Sequence, residues 1–216
     1  ENRMTEILLI RHGETAWNAE RRLQGHLDIA LNAEGARQAA ALGQALLSEE
    51  LDAIIASDLQ RALQTARAIA APRGMEVQIE PGLRERCFGA FEGLLYADIG
   101  VRYPEAYAAL QTREVDARYP EGVHVAETLR EFFARAVGAI TRIAAAGRYR
   151  KVALVAHGGV LDCAYRAAKG IDLLQPRDFD ILNASINRFF WDGAALQLMQ
   201  WGDVAHLRTA ALDEIE

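Results

Sequence analysis

Three short runs in this chain are apolar from end to end: Ile7-Leu8-Leu9-Ile10, Ala53-Ile54-Ile55-Ala56 and Val152-Ala153-Leu154-Val155-Ala156. A strand with one face in water alternates apolar and polar side chains, because successive residues point to opposite faces. A run without alternation needs apolar neighbours on both sides, as in a parallel sheet covered by helices. Helical stretches follow these runs. Asn32 caps an Ala/Leu-rich segment at 33–47, and Ser57 and Asp58 offer N-caps for a helix over 59–71, stopped by Pro72 and Gly74. A third helix, 160–169, closes at Gly170. Val77-Gln78-Ile79 reads as a short strand, and two runs at 187–191 and 196–201 flank Asp192-Gly193, a hairpin signal. The alternation predicts an α/β fold, a three-layer α/β/α sandwich with a mainly parallel central sheet. The segment 94–147 breaks the rhythm with Tyr103-Pro104 and Tyr119-Pro120-Glu121-Gly122, then a helix over 126–146. We expect a helical insertion over one sheet edge, within a single domain spanning 1–216.

Charge narrows the partners. The 216 residues hold 24 Lys and Arg against 30 Asp and Glu, a net charge of −6. That balance lacks the broad basic field that nucleic acid or an anionic membrane requires. A few arginines in one cleft leave no mark on a net charge, so small anionic substrates stay open. Two cysteines, Cys87 and Cys163, make no disulfide framework, and two free thiols are expected. There is no signal-peptide core and no apolar run of the roughly 18 residues that a membrane span needs. The expectation is a soluble cytoplasmic protein, monomer or homodimer. Glu1-Asn2-Arg3 precede Met4, which is expected to be the natural start.

In sheets wound this way, ligands bind outside the carboxyl ends of the strands. The first run ends in Arg11-His12-Gly13-Glu14-Thr15 and the second in Ser57-Asp58-Leu59-Gln60-Arg61. Leu83-Arg84-Glu85 follows the third strand, and the long run ends in His157-Gly158-Gly159. Two histidines, at least two arginines and a carboxylate on one rim describe a phosphoryl site. Guanidinium forks match phosphate oxygens, a histidine can attack phosphorus, and a carboxylic acid can protonate the leaving oxygen.

Arg11-His12-Gly13-Glu14-Thr15 resembles the signature of the histidine phosphatase superfamily, phosphoglycerate mutase-like branch. Trp17-Asn18, Leu23-Gln24-Gly25, Ser57-Asp58-Leu59 with Arg61-Ala62, and Thr65-Ala66 fall where that family has them, as do Phe88-Gly89, Glu92-Gly93 and Asn183-Ala184-Ser185. The resemblance implies His12 as nucleophile, forming a phosphohistidine, with its other ring nitrogen bonded to nearby backbone. It implies Arg11, Arg61 and His157 on the equatorial oxygens, His157 protonated while phosphate is bound, and Asn18 as a further donor. Gln24, Gly25 and Gly158 line the substrate side. Glu85 is the implied general acid and base, with a raised pKa, and Glu92 is the nearby alternative. No metal or cofactor is implied.

Ala126-Glu127-Thr128 with Arg135 fits the family's Gly-Glu-Ser triplet and the arginine eight residues after its glutamate, with Ala126 in place of glycine. Substrate choice is expected in this region, with Arg102, Tyr103, Arg113, Arg118, Tyr119 and His124 as candidates. The resemblance implies a metal-independent phosphomonoesterase acting on a small phosphorylated metabolite. A cofactor-dependent phosphoglycerate mutase is the alternative, and a non-catalytic phospho-ligand binder a third. The run from Leu83 to Gly93 resembles the phosphatase subgroup, and every expected catalytic position is filled.

Overall fold

Six strands form one sheet in the order β3-β2-β4-β1-β5-β6 in the computed structural model, which describes residues 4–215. They are β1 (Thr5–Arg11), β2 (Ala53–Ala56), β3 (Val77–Ile79), β4 (Lys151–Ala156), β5 (Ile186–Trp191) and β6 (Leu196–Asp203). The first four pair in parallel, while β5 runs antiparallel to β1 and β6 to β5. Residues 1–3, with the expectation about Met4 as the start, lie outside the described residues.

The unbroken apolar runs bury both faces, as their composition requires. Ile7, Leu9, Ile55 and Leu154 pack with α6 (Leu129–Ala145) and α7 (Gly158–Lys169) on one side. Leu8, Ile10, Ile54 and Val155 pack on the other side with residues of α2 (Ala33–Ala45) and α3 (Gln60–Ala70). Helix α2 begins where expected, with the Asn32 side chain accepting from Gly35 N at 2.8 Å. Helix α7 closes on Gly170 at φ 66°, a left-handed position that glycine adopts without a Cβ clash. The 192–193 turn holds as a hairpin, Asp192 Oδ1 accepting from Ala194 N and Ala195 N at 2.8 Å each.

Helix α3 departs from expectation. Ser57 and Asp58 do not cap it, because both are engaged elsewhere: Ser57 Oγ lies 2.8 Å from His157 Nε2, and Asp58 takes a two-pronged ion pair from Arg84 at 2.6 and 2.7 Å. The N-cap position is Leu59, and the cap comes from a distant loop, Asp28 Oδ1 accepting from Gln60 N at 2.6 Å.

The segment expected as one insertion divides into two parts. Helices α4 (Tyr96–Arg102) and α5 (Pro104–Gln111) form a small separate core with Leu23, Phe91, Tyr119 and Ala126. Helix α6 instead covers the sheet, burying Phe132, Ala136 and Ile140 in the main core. Its start carries a capping box between Thr128 and Glu131. Both cysteines are buried free thiols. Among the described residues no helix is long and apolar enough to cross a membrane.

Candidate active site

The pairing of β1 with β4 brings the two histidines together. Arg11 is in register with Ala156, His12 N donates to Ala156 O at 3.1 Å, and the rings of His12 and His157 lie 5.2 Å apart. His12 lines a cavity of about 320 Å³ with Arg11, Arg61, Glu85 and Gly158, while His157 stands behind it and does not line it.

His12 is 2% exposed, and its Nδ1 lies 2.6 Å from Gly13 O. A proton on Nδ1 donates to that carbonyl and leaves Nε2 with its lone pair, so the backbone fixes the tautomer. Burial, then Arg61 and Arg11, hold the imidazole pKa well below its usual value, which keeps the ring neutral. Gly13 N in turn donates to Thr65 Oγ1 at 3.0 Å, tying this loop to α3.

The two arginines are buried and held by backbone carbonyls. Arg61 donates from Nη1 to Leu27 O at 2.8 Å and from Nη2 to Gly25 O at 2.7 Å. Its pKa falls to about 10, chiefly by burial, so it stays charged at neutral pH. Arg11 Nη1 donates to Ile181 O at 2.6 Å. The Nε of each finds no partner among the described residues. His157 stands at the N-cap position of α7 without a side-chain capping bond, its Nδ1 is likewise buried without a partner among the described residues, and burial and Arg61 lower its pKa well below the usual value.

Glu85 reaches the cavity from the loop after a 3-10 turn at Pro81–Leu83. Its Oε1 accepts from Arg86 N at 2.8 Å and its Oε2 from Gly159 N at 3.0 Å. Burial above all, with the Glu214 carboxylate next, raises its pKa to about 7; the two backbone donors and Arg61 oppose that rise. Glu92, the alternative acid, does not line the cavity. Its carboxylate accepts from His26 N at 2.7 Å and from the Cys87 thiol at 3.1 Å, which makes it a brace for the Gly25–His26 turn.

The remaining candidates are placed unevenly. Asn18, Gln24 and Gly25 line the cavity. Asn18 closes a capping box with Thr15 at the start of α1 (Ala16–Glu20), and Thr15 Oγ1 donates to Gln24 Oε1 at 2.7 Å. Of the six specificity candidates only Arg113 lines the cavity. Tyr119 stacks on Phe91 at 4.5 Å, Arg118 pairs with Glu131, Arg102 lies over Tyr103, and His124 sits edge-on to His26. Phe88, noted in the sequence only as part of the Phe88-Gly89 pair, lines it too, and Arg86, Tyr96 and Gln111 do so with no signal in the sequence beyond their place near Glu85 or in the insertion. Ser57, against His157, and Glu214, whose Oε2 is 3.4 Å from Arg11 Nη2, were also not foreseen.

Arg135 explains how the Glu85 loop is held. It donates to Gly82 O and Arg84 O at 2.9 Å and to Glu85 O at 3.0 Å, and pairs with both oxygens of Glu127 at 2.7 and 2.8 Å. Arg135→Ala strands the Gly82 and Arg84 carbonyls and takes the cation from the half-buried Glu127 carboxylate, while Glu85 O keeps His26 Nε2 at 2.8 Å and Glu127 keeps Cys87 N at 2.9 Å. We expect a stability loss of about 2–3 kcal/mol in urea denaturation, below the full cost for a deeply buried pair because these side chains keep some solvent. An unchanged midpoint would show that the loop holds itself.

The family model described as histidine phosphatase superfamily (branch 1) matches residues 7–204. The chain belongs to that superfamily. "Phosphoglycerate mutase-like protein 4" of Arabidopsis thaliana is 39% identical over 94% of this chain and 86% of its own. The "Metal-independent phosphoserine phosphatase" of the same plant is 36% identical over 96% and 85%. Among solved structures, YhfR of Bacillus stearothermophilus superposes with a TM-score of 0.84 at 32% identity, over 94% of this chain and 98% of that one.

Proposed function

We propose that this histidine phosphatase family member is a metal-independent phosphomonoesterase for small phosphorylated metabolites, working through a phosphohistidine on His12. The observation that carries the reading is the neutral, backbone-anchored imidazole of His12 beside two buried arginines. Its Nε2 lone pair attacks phosphorus as the phosphorus–oxygen bond to the leaving group breaks. The electron pair departs with that oxygen, which takes a proton from Glu85. Arg11, Arg61 and His157 carry the charge spread over the three equatorial oxygens. A dianionic phosphoryl group favours the imidazolium form of His157, offsetting the burial that disfavours it. Water then attacks phosphorus and gives its proton to Glu85, phosphate leaves, and His12 returns to its neutral form. Asn18, Gln24, Gly25 and the first turn of α7 at Gly158 position the ester. The relative named as a phosphoserine phosphatase supports hydrolysis of a phosphomonoester as the reaction class.

Release of inorganic phosphate from a panel of phosphomonoesters, p-nitrophenyl phosphate included, tests this in the presence of a chelator. Turnover without metal is expected. Interconversion of 2- and 3-phosphoglycerate that outruns release would replace the phosphatase by a mutase, and neither activity would leave a phospho-ligand binder.

A further inference from the structure

The C-terminal tail runs back into the cavity, and its backbone is docked there. Asn183 N donates to Leu212 O at 2.9 Å, and Glu214 N donates to Ile181 O at 3.1 Å. Asp213 Oδ1 accepts from Ile181 N at 2.7 Å and from Arg177 Nη1 at 3.1 Å, while Arg177 Nη2 donates to Glu214 O at 2.8 Å. This pairing turns the Glu214 side chain inward. Its Oε2 lies 3.4 Å from Nη2 of Arg11, a side chain only 1% exposed. The same carboxylate packs so closely on Gly158 that a Cβ added there would overlap it. Its oxygens therefore lie between a buried guanidinium and the first turn of α7. Both the cation and the helix dipole favour an anion at that point.

We infer that Glu214 is a built-in competitor for the phosphoryl group, a carboxylate that occupies its arginine and helix-end contacts until substrate displaces the tail. The inference rests on the phosphoryl-site reading above. Substrate and Glu214 cannot share Arg11 and Gly158, because two anions at hydrogen-bond range repel and the Glu214 carboxylate already stands where a Gly158 Cβ would. The chain is thus competent to bind only when the tail is out. The apparent affinity for any phosphate ligand falls by the fraction of molecules in that state. The contact is reversible by construction: it consists of two ion pairs, Arg11–Glu214 and Arg177–Asp213, and a few hydrogen bonds to backbone at the cavity rim, and the Glu214 side chain keeps 26% of its exposure.

Calorimetric titration with inorganic phosphate tests this on three full-length or near-full-length proteins: the native chain, Glu214→Gln, and a chain ending at Ala210, short of Leu212, whose carbonyl accepts from Asn183 N and from Arg11 Nη1. Glu214→Gln keeps the backbone docking and removes the charge, while the shortened chain removes both. Phosphate is expected to bind each variant at least about tenfold more tightly than the native chain, a change of about 1.4 kcal/mol. Equal affinity in all three, or weaker binding in the variants, overturns the tail as a competitor and leaves the phosphoryl site standing. The absence of phosphate binding in every protein overturns the phosphoryl site, and the tail's role with it.

Discussion

Phosphate release by His12→Ala is expected to fall at least about 10⁴-fold in kcat, since loss of a nucleophile removes a covalent step that no neighbour replaces. His157 is the nearest imidazole, 5.2 Å away ring to ring, but its Nε2 faces Ser57 Oγ at 2.8 Å and its place on the β4–α7 junction differs from that of His12. The fold should survive the change. His12 makes one side-chain hydrogen bond, to the carbonyl of the next residue, and the loop stays tied to α3 through Gly13 and Thr65. Incubation with a labelled phosphomonoester followed by alkaline quench should leave acid-labile label on the native chain and none on the variant. Label retained by His12→Ala would move the nucleophile elsewhere.

Glu85→Gln is the second large effect, a kcat loss of about 10²–10⁴-fold for esters with alkoxide leaving groups. For p-nitrophenyl phosphate the loss should be smaller in the phosphorylation step, because p-nitrophenolate departs without a proton. The pH dependence has a definite sign. With its pKa near 7, Glu85 is protonated below neutrality and able to donate, and donation fails as pH rises through that value. The native alkoxide-ester rate should therefore decline above pH about 7, and that limb should vanish in Glu85→Gln. Stability follows the same linkage. A carboxyl whose pKa is raised on folding stabilises the protonated folded state fully below the unfolded value of 4.5, and that advantage is lost as pH rises to about 7. The fall in thermal midpoint between pH 5 and pH 8 should then be shallower in Glu85→Gln. A pH profile of rate unchanged by the substitution would assign the proton transfer to another group.

Much of the scaffold could be read locally. Unbroken apolar runs demanded a sheet covered on both faces, and the observed strands lie within about two residues of the expected ones because that demand is met residue by residue. The Asn32 and Gly170 caps are likewise near-neighbour physics, a side-chain oxygen reaching three residues along and a backbone angle that glycine permits. Where the reading missed, a distant partner had intervened. Ser57 and Asp58 are good cap residues by type, yet a buried imidazole and a guanidinium claimed them, and Asp28 supplied the cap instead. Of the six specificity candidates in the insertion, Tyr103 and Tyr119 are drawn into the small core on which α4 and α5 close, Arg118 pairs with Glu131, and Arg102 and His124 stay exposed off the cavity.

The amino-acid order by itself named the candidate groups: two histidines, two arginines and a glutamate, placed at a strand end, on the segment that follows one, or in the first turn of a helix. Only the tertiary structure decided that they meet. Strand order is not written in any local window. The insertion of β4 between β2 and β1 sets His157 beside His12, although 145 positions separate them in number. Burial then lifted Glu85 to a proton affinity near neutrality, and chain reversal brought Glu214 onto Arg11. Desolvation and charge–charge contact depend on distances in space, which periodicity and capping along the chain do not encode.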